Sequence, residues 1–173
     1  MTTARSSQFA RVGVLGVTVV AMLVVNGCAE QASTKAPGTP EPTMDASLVL
    51  SNSSPAVGSS VDVYAQIGTA TAGIVGSFTA RIRYDSTSLR YEAEIPIADQ
   101  TMRATNATGG LVRFAGAATA GVPSGRLAGY RFVVLRADAV RTLQLTVDEL
   151  HTVARTDAAS MVRVAPNRVE VAP

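Results

Sequence analysis

An all-β sandwich of about eight or nine short strands is what this sequence predicts, and three observations predict it. From Ala46 onward, apolar and polar residues alternate with a period of two rather than 3.6. Turn signals rich in Gly, Pro, Ser and Asn separate the runs at the spacing of short strands. The composition agrees: the 173 residues are 47% apolar, include 14 Gly and 8 Pro, and lack Trp. That is enough apolar matter for a core built from Val, Ala, Leu and Ile.

The chain opens with a different pattern. Arg5 and Arg11 precede "VGVLGVTVVAMLVV", an uncharged run from Val12 to Val25. Its 14 residues suit the apolar part of a secretion signal and are short for a bilayer-spanning helix. Val25-Asn26-Gly27-Cys28 follows and holds the only cysteine, which excludes an internal disulfide or a cysteine-cluster metal site. This segment resembles a bacterial lipobox, in which cleavage before the cysteine leaves its thiol to carry a diacylglycerol. Val25 and Asn26 stand where such signals usually have Leu and a small residue. The resemblance implies a lipoprotein signal over residues 1–27 and lipidation at Cys28, and so a bacterial cell-envelope protein held on a membrane by its lipid. An ordinary secretory leader or a signal anchor is the alternative. From Cys28 onward 13 basic and 13 acidic side chains balance, so the formal charge of +2 belongs to the leader and points to no nucleic-acid partner. Residues 28–45, "CAEQASTKAPGTPEPTMD", have no apolar periodicity and three prolines, and read as a flexible tether.

The folded domain is assigned to residues 46–173. "SLVLS" is its first strand. In "SVDVYAQIG", Val61, Val63, Ala65 and Ile67 face one way while Asp62, Tyr64 and Gln66 face the other. "GSFTARIRYD" turns Phe78, Ala80, Ile82 and Tyr84 inward and Ser77, Thr79, Arg81 and Arg83 outward. In "YDSTSLRYE", Asp85 or Ser86 caps a short turn that returns Leu89 to the core. The stretch from Thr101 to Thr105 is the weakest strand candidate. "LVRFAGA", "RLAGYRFVVLR", "LQLTVDEL" and "VRVAPNRVEVA" complete the set, the third with Leu143, Leu145 and Val147 inward and Gln144, Thr146 and Asp148 outward.

Three stretches together resemble a bacterial cohesin domain: "AVGSSVDVYAQI", "GSFTARIRYDSTSLRYEAE" and the long run from Gly109 to Val153. The residues that carry the resemblance are Gly58, Phe78, Tyr84-Asp85, Leu89, Phe114, Ala115, Gly116 and Phe132, over about Ala46 to Val171. It implies a jelly-roll β-sandwich shared with related carbohydrate-binding modules, and no catalytic activity. It also implies that one sheet, with strands Ser77–Asp85, Leu111–Ala117 and Leu143–Val153, offers its outer face to a protein partner. The face residues are then Thr79, Arg81, Arg83, Arg113, Gln144, Thr146 and Asp148. A cohesin's partner is typically a dockerin, a small calcium-binding module, and any calcium then belongs to that partner; the chain itself needs no cofactor beyond the lipid on Cys28. Arginine suits an interface because its planar fork bonds bidentately and its stem covers apolar area. The competing reading is a solvated strand face in a chain with 14 Arg and one Lys.

Other chemistry has little to stand on. His151 is the only histidine, so any Ser-His-Asp arrangement must use it, and no nucleophile-elbow motif accompanies it. Asp85, Glu92, Glu94 and Asp99 lack metal-loop spacing and read as solvated loop charges. The alternative function is a polysaccharide-binding lipoprotein on the same sandwich. It requires exposed rings on one face, and Tyr64 and Tyr91 are the candidates, because Tyr84 and Tyr130 fall at inward positions.

Overall fold

The computed structural model describes residues 44–68, 71 and 74–169. The leader, Cys28 and the tether up to Thr43 lie outside the described residues. Ten strands are present among those described: β1 (Met44–Leu50), β2 (Ser60–Ile67), β3 (Val75–Arg83), β4 (Leu89–Glu94), β5 (Met102–Thr108), β6 (Leu111–Ala117), β7 (Arg126–Val134), β8 (Gln144–Thr152), β9 (Val162–Val164) and β10 (Arg168–Val169). They form two sheets. One has the order β10-β1-β2-β7-β4, with β9 also on β1, and the other has the order β5-β6-β3-β8. The period-two pattern reports one dry and one wetter face along β2, β3 and β5, whereas β1 is buried on both rows, with outward Ser47 4% and Val49 9% exposed.

The inward row of each strand makes the core. Val61, Val63, Ala65 and Ile67 are fully buried, as are Ala80 and Ile82, with Phe78 3% exposed. Phe114, Tyr130 and Phe132 join them, and edge-on or tilted ring contacts link Phe78 to Phe114, Phe114 to Tyr130 and Tyr84 to Phe132. Gly116 faces inward beneath Phe78, where any Cβ would collide with the ring, so only glycine lets Phe78 lie flat across β6. Asp85 caps the turn after β3 as expected: its carboxylate accepts from the Thr87 amide at 2.8 Å and from the Ser88 hydroxyl at 2.7 Å, and Leu89 is fully buried.

Three local expectations change. The first strand begins three residues before Ser47, at Met44, which is 1% exposed, while Asp45 pairs with Arg163 at 2.8 Å. The cause is non-local: β9 comes from the far end of the chain and runs parallel to Met44–Ala46. "VRVAPNRVEVA" is two short strands rather than one. Pro166 has no N–H to give β1, so pairing stops at Val164 and resumes at Arg168. Third, Asp99 is not a solvated loop charge. Its side chain is 5% exposed and binds Arg103, whose side chain is 10% exposed.

That last pair closes one side of the sandwich. β5 is an edge strand whose inward residues are Arg103, Thr105 and Ala107, so apolar burial holds it only weakly. Arg103 compensates with all five of its N–H donors. Nε donates to the Leu127 carbonyl at 2.7 Å and Nη2 to the Arg126 carbonyl at 2.9 Å, both on β7 in the other sheet. The remaining donors reach the two Asp99 oxygens at 2.6 and 2.8 Å and the Thr101 carbonyl at 3.2 Å. Asp99 also accepts from the Thr101 amide and the Ser124 hydroxyl. The guanidinium bonds hold the Asp99 carboxyl well below its ordinary value of 3.8 against the opposing effect of burial.

Because the pair is buried, removing one partner leaves the other charged and unpaired. Arg103→Gln is expected to lower the unfolding free energy by about 3 kcal/mol at neutral pH, read by urea or thermal unfolding. Asp99 has a depressed folded-state pKa, so its contribution is fully present above about pH 4 and is lost as pH falls through the folded value. The gap between wild type and variant should therefore narrow in acid. A pH-independent gap contradicts the charged pair as its cause.

Candidate partner-binding face

The outer face of the four-stranded sheet is laid out by strand register. Cross-strand neighbours form four rows, each running β5 to β6 to β3 to β8. The first is Thr108, Leu111, Arg83 and Gln144, and the second is Asn106, Arg113, Arg81 and Thr146. The third is Ala104, Ala115, Thr79 and Glu149, and the fourth is Met102, Ala117, Ser77 and His151. Alternation along each strand sends all of these to the side away from the core.

A bulge in β8 adjusts this grid. Thr79 pairs with Glu149 but Ala80 pairs with Val147, which leaves Asp148 as the extra residue. Asp148 and Glu149 therefore both reach the outer face although they are adjacent in sequence. Asp148 meets Arg81 at 3.1 Å, and the Thr79 hydroxyl donates to Glu149 at 3.3 Å. Without the bulge Leu150 would turn outward; with it Leu150 is fully buried.

All seven residues named from the sequence thus lie on one face: Thr79, Arg81, Arg83, Arg113, Gln144, Thr146 and Asp148. Their charges are not equivalent. Asp148 partners Arg81, whereas Arg83 and Arg113 are exposed and have no carboxylate partner among the described residues. The next row is small and apolar on its β5 and β6 side, at Ala104 and Ala115, and polar on its β3 and β8 side, at Thr79 and Glu149. Thr79, Ala104, Ala115 and the edge of Phe114 line a shallow depression of about 240 Å³ beside Arg113. Met102 stands at the corner, 73% exposed, the most exposed large apolar side chain among those described. The face therefore grades from an arginine end, through a low apolar middle, to a methionine and histidine end.

The contribution of β5, with Met102, Ala104 and Asn106, was not legible in the sequence. Its inward residues are Arg103, Thr105 and Ala107, so the expected apolar alternation is missing. The signal that marks it is the Gly109-Gly110 turn after Thr108, followed by a clear partner strand. Tyr130 explains the inward threonine: its hydroxyl lies 3.1 Å from Thr105 Oγ1, and burial raises the phenol pKa far above the ordinary value of 10.0.

The two candidate stacking rings do not share a face. Tyr64 lies on the outer face of the larger sheet, packed against Gly129, where a Cβ would come within 2.9 Å of the ring. The Arg126 guanidinium covers it at 4.2 Å from the ring centroid. Tyr91 points to the opposite side, against Tyr130 and Phe132 with centroids 6.1 and 6.0 Å apart, and burial pushes its phenol pKa up. No flat platform for a sugar ring arises from this pair.

His151 is half-buried at the end of β8. Ser77 is its neighbour across the strands and Asp157 its neighbour across a single bridge. No hydrogen bond joins these three side chains, and Asp157 Oδ1 accepts from the Ala159 amide at 2.9 Å. Glu92 accepts from the Ser60 hydroxyl at 3.1 Å. Among the described residues no three His, Cys, Asp or Glu side chains are grouped to hold a metal ion.

The same two-sheet arrangement occurs in solved structures. The sixth cohesin of scaffoldin B from Acetivibrio cellulolyticus, in complex with a dockerin, superposes with a TM-score of 0.58 at 15% identity, over 75% of this chain and 99% of that one. The fold is that of a cohesin. A non-cellulosomal cohesin from the archaeon Archaeoglobus fulgidus gives 0.52 at 19% identity, over 75% of this chain and 92% of its own. A type II cohesin domain from the A. cellulolyticus cellulosome gives 0.54 at 16% identity, over 72% and 92%. No protein-family model matches the sequence, and no curated protein matches it. At these identities the likeness concerns the fold.

Proposed function

We propose that this chain is a non-catalytic docking module that binds a protein partner, of dockerin type, on the outer face of its four-stranded sheet. The observation that carries the reading is the grid itself. Seven side chains selected from the sequence share one sheet face with an apolar depression and two unpaired arginines. A flat, low-relief patch with charge at one end and an apolar middle suits docking of another folded surface better than enclosure of a small molecule. Two of the similar solved cohesins are complexes with dockerins, which supports a protein as the ligand class. The displaced Tyr64 and Tyr91 weigh against the polysaccharide alternative. Calcium, if the partner is a dockerin, belongs to the partner.

We also propose that the mature chain begins at Cys28 and is tethered by its lipid to a bacterial membrane, with the docking face in the periplasm or outside the cell. Support comes from Arg5, Arg11, the uncharged run and Gly27-Cys28. Each buried CH₂ contributes about 0.8 kcal/mol, so two or more acyl chains suffice for stable anchoring.

Arg83→Glu combined with Arg113→Glu is expected to weaken capture of a dockerin-type partner about tenfold or more, mainly through electrostatics, with little change in melting temperature. Surface plasmon resonance at two salt concentrations measures it, and unchanged affinity places the interface elsewhere. Cys28→Ala is expected to abolish incorporation of labelled fatty acid and to release the chain from the membrane fraction. Membrane partitioning after correct cleavage elsewhere contradicts the anchor.

A further inference from the structure

A second concave feature adjoins the fourth row of the docking face. Ser77, Ala117 and His151 of that row form its floor, and the turn after β8 with the segment after β6 forms its walls, enclosing about 400 Å³. The depth arises at Gly76, the extra residue of a second bulge between β3 and β8. A Cβ there would stand 2.7 Å from the Thr152 carbonyl, so only glycine lets the end of β8 close down on β3. The chain then turns sharply. The Thr152 amide donates to the Thr156 carbonyl at 2.9 Å, the Arg155 amide to the Thr152 carbonyl at 2.8 Å, and the Thr156 amide to Thr152 Oγ1 at 3.2 Å.

Arg155 occupies the left-handed position of this turn, with φ of 65°. Glycine or asparagine takes that conformation at least cost, and a long side chain there is unfavourable. The three backbone and side-chain bonds of the turn hold it against that cost and keep Arg155, an exposed residue, on the lining of the cleft. The polar groups that line the cleft are the Ser77 and Thr119 hydroxyls, the Thr152 hydroxyl, the His151 ring and Arg155. All can donate, none is a carboxylate, and Arg155, Ser77 and Thr119 have no side-chain partner among the described residues. Two carboxylates lie nearby, Glu149, which accepts from the Thr79 hydroxyl, and Asp157, the bridge neighbour of His151, whose Oδ1 accepts from the Ala159 amide; neither lines the cleft.

We infer that this cleft is an anion subsite of the docking face, built to take an aspartate or glutamate side chain of the partner protein. The inference rests on the docking reading, because only a ligand already lying on the sheet would place a carboxylate over row four. It also adds a second charged anchor, at the end opposite Arg83 and Arg113, so a partner held at both ends would be fixed in direction as well as position. The depression between the two ends then needs only small apolar side chains.

The test does not require the natural partner. His151 is the only histidine, so its ring protons give one unobstructed NMR signal inside the cleft. The full chain in detergent micelles is titrated at pH 7.5 with a capped tetraglutamate peptide, a tetraglutamine control and inorganic phosphate. The expected result is a saturable shift of the His151 ring signal and of the Ser77 and Thr119 amides with tetraglutamate, and none with tetraglutamine. Arg155→Asn, which tolerates the left-handed backbone, is expected to weaken that binding at least threefold, Arg155→Lys to restore most of it, and Arg83→Gln to leave it unchanged. No saturable shift, equal binding by Arg155→Asn, or saturation by phosphate alone overturns the inference. Because Arg83 and Arg113 are read separately against a captured partner, failure here is distinguishable from failure of the docking reading.

Discussion

The buried Arg103–Asp99 pair is the constraint on which the candidate face depends. An edge strand whose inward side chains are Arg, Thr and Ala has little apolar area to hold it on a core. Arg103 replaces that missing area with five hydrogen bonds, two of them to carbonyls of the opposite sheet. A buried guanidinium is tolerated only when every donor is satisfied and its charge is met, and both conditions hold here. The consequence is functional, because β5 supplies one column of the four that form the outer grid. A strand that frayed there would remove Met102, Ala104 and Asn106 and open one wall of the apolar depression.

The two bulges act at the other edge. One puts Asp148 and Glu149 side by side on the outer face, so that a carboxylate neutralises Arg81 while Arg83 and Arg113 stay unpaired. The other, at Gly76, draws the end of β8 toward β3 and creates the cleft beneath Arg155. Each is a one-residue insertion, and each converts a regular ladder into a site with a particular charge. The larger sheet shows no comparable grading. Its outer face carries the closed pairs Asp62–Arg131 and Asp45–Arg163 and the covered ring of Tyr64, which leaves less free charge for a partner.

Much of this was legible in the sequence. The inward rows of β2 and β3 follow directly from alternation, and so do the outward Thr79, Arg81 and Arg83. What escaped did so for physical reasons. β5 carries a polar inward row because its burial is ionic rather than apolar, and hydrophobic periodicity is blind to that. Asp99 looks like a loop carboxylate because its partner is four residues away on a strand whose direction is set by β6. Met44 looks like tether because the strand that covers it comes from residues 162–164. The β8 bulge leaves only a faint trace, two consecutive charges at Asp148 and Glu149 that interrupt the period of two, and the same break would equally mark the end of the strand until the partner strand is known.

On the proposed reading, a lipid at Cys28 and a proline-rich tether would hold the graded sheet face, and a second protein docked on it, near a membrane. The most direct measurement of its central claim is hydrogen exchange on the full chain, with and without a captured dockerin-type partner. Protection concentrated on β3, β5, β6 and β8, with β1 and β2 unchanged, is the predicted footprint. Protection confined to the outer strands of the larger sheet, with β5 and β6 exchanging as in the free chain, would contradict it.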